Sequence, residues 1–561
     1  MEQCNLVELF SGIGSQAKAL KNLGINVNTL GTSEWDIHAI AAYDMIHTTG
    51  EIPDGIQAMD KEELLKILKG YTFSNSGKVA LDYTSLRTYS KEALQRLYTS
   101  ITRNKNFVDI STLDGAKMPD NIDILTYSFP CQDLSNVGAF HGYNKGIDKG
   151  SGSRSSLLWQ VGRILTEMKY AGIKLPRYLL MENVPTLLSK RHIGNFNTWI
   201  DDLRQLGYIS KFFPLNATSF GLPQNRPRLL MISVFSGNNQ SVEDLVKFYF
   251  DKKGPDDVVS DYRSSAFFHQ YTVQELLRTN YDNPKILDEA IECTPNDTAS
   301  RRKIWEDNPQ IVLSGYKFNT SIDAVRTITT KQDRNPNSGN LYFDSGIEGR
   351  SKYRYLTPRE CLLFMGFTDE DYRRLKNNNV EFHKGDAIFA RDKIIRMAGN
   401  SIPVKLLEGI FLQILQIDRL LDHYMAVTSP VEYDIREKRC FELRSFLFSR
   451  GIRCRMDKDN CPLQADVVYS KYKTAVYICD DCKSADKGLN FPVDLFREYF
   501  ELCHECKEGA AQKAINAGWN LLFISQSVLE NKSMDTLARI EQTIHANYQT
   551  QDGKGRVYHF G

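Results

Sequence analysis

"NLVELFSGIGSQAKALKNLG", residues 5–24, begins with six residues that suit a buried strand and then turns on two glycines into a helical pattern. Gly12 and Gly14 let the chain turn sharply, so that backbone N–H groups and the helix N-terminus face a ligand. The spacing is G-x-G and lacks the rest of the dinucleotide fingerprint, so a plain strand-to-helix turn is an equal reading of these residues alone. The next strand, "INVNTLGTSEWD" (25–36), tips that balance. Glu34 at its tip suits ribose hydroxyls, and Trp35 beside it offers a flat face to a purine. Together they favour an adenosine-containing cofactor.

Working outward, "NIDILTYSF" (121–129), "PRYLLMENV" (176–184) and "RPRLLMISV" (226–234) are further buried strands, the first two ending in polar residues, and helical patterns alternate with the strands. That alternation predicts an α/β fold with a doubly wound, mostly parallel sheet and ligands at the carboxyl ends of its strands. Residues 236–325 lose the pattern and read as an irregular lobe, and 326–424 return to the first domain (1–235). A linker is expected at 425–434, followed by a separate domain at 435–561.

The chain has 561 residues, too many for one core at about 150 residues per domain. Its 42% apolar and 25% charged residues describe a globular protein, and a net charge of +1 neither announces nor excludes a nucleic-acid partner. No apolar run reaches the ~18 residues of a membrane span, and the first residues carry no signal pattern, so the expected setting is the cytoplasm, away from membranes. Its 11 cysteines are then thiols or metal ligands rather than disulfides.

Four short stretches fall near strand ends: "FPCQ" (129–132), "MENV" (181–184), "QNRPR" (224–228) and "GNSIP" (399–403). On local grounds Cys131 reads more readily as an inert thiol than as a nucleophile, since free cysteines are usually small core residues. With "ELFSGIG", "SEWD", "FVDI", "FPCQDLSN" and "LNATSFGLPQNRPR", however, these blocks resemble the signature motifs of the DNA cytosine-5 methyltransferases, in that family's order, over roughly residues 5–420.

The resemblance implies an S-adenosylmethionine-dependent methyltransferase fold, duplex DNA as substrate and a monomer. Cys131, on a loop held by Pro130, would attack cytosine C6. Glu182 would protonate N3, while Arg226 and Arg228 grip the base O2 and flanking phosphates. Phe10, Gly12, Gly14, Glu34, Trp35, Asp109, Ile110, Asn400 and Ser401 would form the cofactor pocket. Gln132, Ser135, Asn136, Arg154 and Gln224 are the expected DNA contacts. The glycine-rich loop after Cys131 would close over a base extruded from the duplex, and residues 236–325 would read the target sequence. "GNSIP" would close the cofactor pocket.

The tail differs chemically. "LQADVVYSKYKTAVYICDDCK" (463–483) reads as two strands carrying Asp466, Asp481 and Lys483, an arrangement used by Mg²⁺-dependent nucleases. Cys479, Cys482, Cys503 and Cys506 have zinc-ribbon spacing. The tail loosely resembles the very-short-patch repair endonucleases, although "CDDCKSAD" replaces their histidine-bearing stretch. Alternatives stay open: an RNA cytosine-5 methyltransferase, a DNA-binding protein with an inactive tail, or a partner restriction or repair enzyme acting alongside.

Overall fold

In the computed structural model the described residues are 1–130, 154–308, 310–312, 317–318, 324–334, 336–383, 385–428, 443, 467–469, 473–479, 516–525, 534–549 and 557–560. They fall into two units. The first comprises Met1–Glu243, Phe250–Arg263 and Phe267–Ile414, and the second Asp244–Tyr249, Ser264–Ala266 and Leu415–Gly561.

The first unit is built on strands β1 (Gln3–Leu9), β2 (Asn26–Ser33), β3 (Ile124–Tyr127), β4 (Tyr178–Asn183), β5 (Tyr208–Asn216) and β7 (Pro227–Phe235), with a two-residue strand β6 (Gln224–Asn225) beside them. The six-stranded sheet runs in the order β2-β1-β3-β4-β7-β5. Its central strands are buried on both faces: every residue of β3 is buried, and so are Leu6, Val7, Glu8 and Leu9 of β1. Near-continuous apolar runs are what a sheet covered on both sides requires.

The β2-β1-β3-β4 pairings are parallel, whereas β7 runs antiparallel to both β4 and β5. The α/β methyltransferase fold with a mostly parallel sheet is therefore present, with one refinement. β5, absent from the sequence reading, joins β7 through ten residues, too short for the crossover that parallel neighbours need.

Chain order decides where the site lies. From β1 the chain passes through helix α1 (Ser15–Asn22) to β2 on one side, and later returns to β3 on the other. The strand order thus reverses at β1, and ligands bind in open α/β sheets at the carboxyl ends beside such a switch. Register aligns those ends: Leu9 pairs with both Ser33 and Tyr127, and Tyr127 pairs with Met181. Phe10, Glu34 and Ser128 therefore leave the sheet along one edge, beside Glu182 near the end of β4.

Residues 236–325 differ from expectation. In place of an irregular lobe they hold helices at Gln240–Asp251, Pro255–Arg263, Val273–Leu276, Pro284–Glu292 and Ala299–Asp307. Each is too short to build a long periodic signal. Four of these starts are set by Asn239, Thr272, Asn283 and Thr298, whose side chains accept N–H bonds from the first turn. The helix Val404–Thr428 also runs into the expected linker, taking its first four residues.

In the second unit a four-stranded sheet comprises Val467–Tyr469, Thr474–Cys479, Asn520–Ser525 and Val557–Phe560 in that order, the first pair antiparallel and the rest parallel. Among the described residues no helix is long and apolar enough to cross a membrane.

Candidate active site

The turn after β1 is shaped by left-handed backbone at Phe10 (φ 59°), Gly12 (φ 54°) and Gly14 (φ 77°). Gly14 ends the turn as the N-cap of α1, and a Cβ there would collide with the rings of His47 and Tyr43. Gly12 differs: a Cβ on it would meet nothing within 4 Å, so the space above it is open. Its N–H donates to Glu34 Oε2 at 3.0 Å, while Oε1 accepts from Trp35 and Asp36 N–H at 2.9 and 2.8 Å. Burial, reinforced by the neighbouring Asp36 charge, pushes the Glu34 carboxyl up to about 7 despite those three bonds. Trp35 is half-buried beside it.

Beneath the turn, Glu8 is fully buried, accepts from Ala17 N–H at 3.3 Å and takes a short hydrogen bond from the Tyr43 hydroxyl. Desolvation raises its carboxyl to about 7. His47 is held neutral by burial, and its Nε2 lies 3.0 Å from the Ile13 carbonyl oxygen.

Three consecutive residues lead from β3 to Cys131, and each is tied to a different segment. Ser128 Oγ donates to the Phe10 carbonyl at 3.3 Å, Asn183 Nδ2 to the Phe129 carbonyl at 3.1 Å, and Ser155 Oγ to the Pro130 carbonyl at 2.6 Å. Behind them the Trp199 indole donates to the Tyr127 hydroxyl at 3.1 Å inside the core. Cys131 itself lies outside the described residues, as do Gln132, Ser135 and Asn136. Arg154 opens a short 3-10 turn, its side chain undescribed.

Glu182 stands on β4 with its Oε1 2.8 Å from Arg228 Nε. Burial raises its carboxyl above the usual range, opposed by the charges of Arg228 and Arg226. The two arginines are not equivalent. Arg226 is 1% exposed and spends its Nη atoms on the carbonyls of Ile328, Gly399 and Ser401 at 2.7–2.8 Å. It ties the return segment to its own motif instead of gripping base or phosphate, a correction to the sequence reading. Arg228 pairs with Glu182 directly, while Arg226 acts on it through its charge.

Gln224 is a second correction. It was expected to touch DNA, yet it is fully buried, donating to the Phe364 carbonyl at 2.8 Å and accepting from Ile328 N–H at 3.0 Å. A buried amide must satisfy both its ends, and here backbone does so.

Asp109 and Ile110 follow a strained turn at Val108 (φ 64°); Ile110 is buried, while Asp109 is half-buried and accepts from Ser111 N–H at 2.9 Å. Ser401 is buried at the end of the helix Arg391–Asn400, whereas Asn400 is exposed. Gly399 touches the return segment so closely that a Cβ would lie 2.5 Å from Thr329 C and Thr330 N. Sequence reasoning assigned no role to Asn106, Ser128 and Ser155, nor to Asn183 within its own "MENV" motif; all are ordinary polar residues whose partners no local pattern marks.

Of the tail's candidates, Cys479 ends a described strand, while Asp466, Asp481, Lys483, Cys482, Cys503 and Cys506 lie outside the described residues. No cluster that could hold a metal occurs among the described residues.

A family model described as C-5 cytosine-specific DNA methylase matches residues 84–416. The type II methyltransferase M2.ScrFI of Lactococcus lactis subsp. cremoris is 32% identical over 413 residues, covering 72% of this chain and 98% of the relative. The orphan methyltransferase M.SssI of Spiroplasma monobiae is 30% identical over 413 residues, covering 73% and 96%. Among solved structures, the S. pombe Dnmt2 methyltransferase superposes with a TM-score of 0.44 at 16% identity, covering 74% of this chain and 98% of that one. The chain belongs to the C-5 cytosine-specific DNA methylase family and is a DNA cytosine-C5 methyltransferase.

Proposed function

We propose that the chain methylates cytosine within a specific duplex DNA sequence, in the manner of a restriction-modification enzyme, with Cys131 as nucleophile and Glu182 as acid. The Cys131 thiolate adds to C6 of an extruded cytosine, and Glu182 delivers its proton to N3 as charge builds on the ring. Arg228, beside Glu182, would hold the base O2 as well. After methylation the C5 proton leaves to solvent, the C6–S bond breaks to release the Cys131 thiolate, and N3 returns its proton to Glu182, restoring the ring.

The observation that carries this reading is the bracing of Ser128, Phe129 and Pro130 near a Glu182 whose carboxyl burial pushes above its usual range. A nucleophile needs a preset backbone, and a carboxyl that donates to N3 must hold its proton near neutrality.

The open space over Gly12, flanked by Glu34, fits an adenosine-bearing sulfonium. S-adenosylmethionine, when bound, supplies the methyl group. Phe10, Gly12, Gly14, Glu34 and Trp35 would form one wall, Asp109 and Ile110 another, and Asn400 with Ser401 the outer edge. Residues 236–325, with their capped helices, would read the DNA sequence, and the names of the relatives support a modification role.

The test uses tritiated S-adenosylmethionine with mixed-sequence duplex DNA. Label appears at cytosine C5 with the intact protein and vanishes with Cys131→Ala. Label confined to RNA overturns the choice of substrate.

For the tail, residues 435–561, we propose a nuclease-like module acting on the same DNA, supported by a mixed sheet whose last two strands are joined through the helix Met534–Gln549. Asp466, Asp481 and Lys483 would serve Mg²⁺, and the four cysteines a structural zinc. Mg²⁺-dependent nicking lost in Asp466→Ala is the expected result; duplexes left intact, mismatched ones included, overturn it.

A further inference from the structure

We propose that Asn106 is a positioning residue that sets the spacing between the two walls of the cofactor pocket; this rests on the reading of Glu34 and Asp109 as cofactor contacts. Asn106 is 6% exposed. Its Oδ1 accepts from Glu34 N–H at 3.1 Å and from Val108 N–H at 2.9 Å, and its Nδ2 donates to the Glu34 carbonyl at 3.0 Å. One amide thus grips the backbone of the ribose-side acid on both its polar groups and the backbone one residue before Asp109. The oxygen must face the two N–H donors, which fixes which end of the amide is which.

What this grip holds is costly. Val108 adopts a left-handed φ of 64°, which a β-branched residue rarely does. Ser33, the last residue of β2, donates from Oγ to the Val108 carbonyl at 3.2 Å, so the strained residue is held at both its N–H and its C=O. Phe107 N–H donates to the Thr32 carbonyl at 2.8 Å and continues the same seam. Backbone strain that is over-determined by its surroundings is a mark of pre-organised sites. Here it turns the chain immediately before Asp109 and Ile110.

Only asparagine offers both functions at this reach. Aspartate keeps the acceptor for the two N–H groups but sets an oxygen against the Glu34 carbonyl. Glutamine is one methylene too long, and alanine leaves two buried N–H groups without a partner.

The test measures equilibrium binding of S-adenosylhomocysteine by calorimetry alongside steady-state kinetics. Asn106→Ala is expected to weaken binding and raise KM for S-adenosylmethionine by about tenfold or more, with kcat at saturating cofactor and DNA affinity changed by less than about threefold. Asn106→Asp should fall between, and it serves alone if the alanine protein does not fold. In a Glu34→Ala background the loss should be smaller, because the residue acts through Glu34. Asn106 variants that bind like the intact protein while Glu34→Ala binds weakly overturn this inference alone. Normal binding by Glu34→Ala overturns the pocket reading beneath it. A fall in kcat at unchanged affinity, or fully additive losses, also overturns the inference.

Discussion

Arg228 Nε lies 2.8 Å from Glu182 Oε1, so the acid proposed to protonate cytosine is held beside a cation that works against its protonation. Burial wins, and the carboxyl stays above its usual range. Removing the cation in Arg228→Ala should raise that pKa further. The alkaline limb of kcat/KM against pH, where Glu182 loses its proton, should then move to higher pH, with a lower plateau. A limb that moves downward contradicts the arrangement.

Asn183 fixes the carbonyl two residues before Cys131. Asn183→Ala should reduce methyl transfer by about 10- to 100-fold, since small misplacements of a reacting group carry losses of that order. Cofactor affinity should hold, which calorimetry with S-adenosylhomocysteine checks.

Gln224→Ala separates a buried brace from a DNA contact. Loss of its bonds to Phe364 and Ile328 should destabilise the protein by about 2 kcal/mol in denaturant titration. The methylated sequence, read by bisulfite sequencing, should be unchanged.

Gly399→Ala places a methyl group 2.5 Å from backbone atoms of Thr329 and Thr330, which cannot yield as a side-chain tip would. A loss of at least about 2 kcal/mol is expected, seen as a lowered Tm. Methyl transfer should weaken with it, because Arg226 holds the Gly399 carbonyl and so links this turn to the Glu182 neighbourhood.

Glu8 makes stability depend on pH. Its folded pKa of about 7 exceeds the usual 4.5, so the folded state holds the proton more tightly than the unfolded chain. Its contribution is therefore intact below about pH 4.5 and is lost as pH rises toward 7, at no more than about 1.4 kcal/mol per pH unit. Glu8→Gln should remove that slope. Denaturant midpoints of the two proteins should diverge between pH 5 and pH 7 in the variant's favour, within about that limit.

Much of this chemistry was legible in the chain because it is local. The run from Asn5 to Gly24 specifies a strand, a left-handed turn and a helix by short-range sterics, and Glu34 and Glu182 declare themselves by standing at strand tips. The helices of 236–325 were not legible, since segments of one to three turns carry their information in capping residues more than in periodicity.

The tertiary structure alone decided the division of labour. Sheet order places β1 between β2 and β3, which brings Glu34, Phe10 and Ser128 to one edge of the sheet. Arg226 and Arg228, two residues apart, have opposite fates because carbonyls more than a hundred residues away claim the first. Gln224 and Asn106 are settled likewise, by backbone partners that no local pattern announces. A hydrogen bond between distant segments exists only once packing has excluded water from both, so sequence can name the groups while the fold assigns their partners.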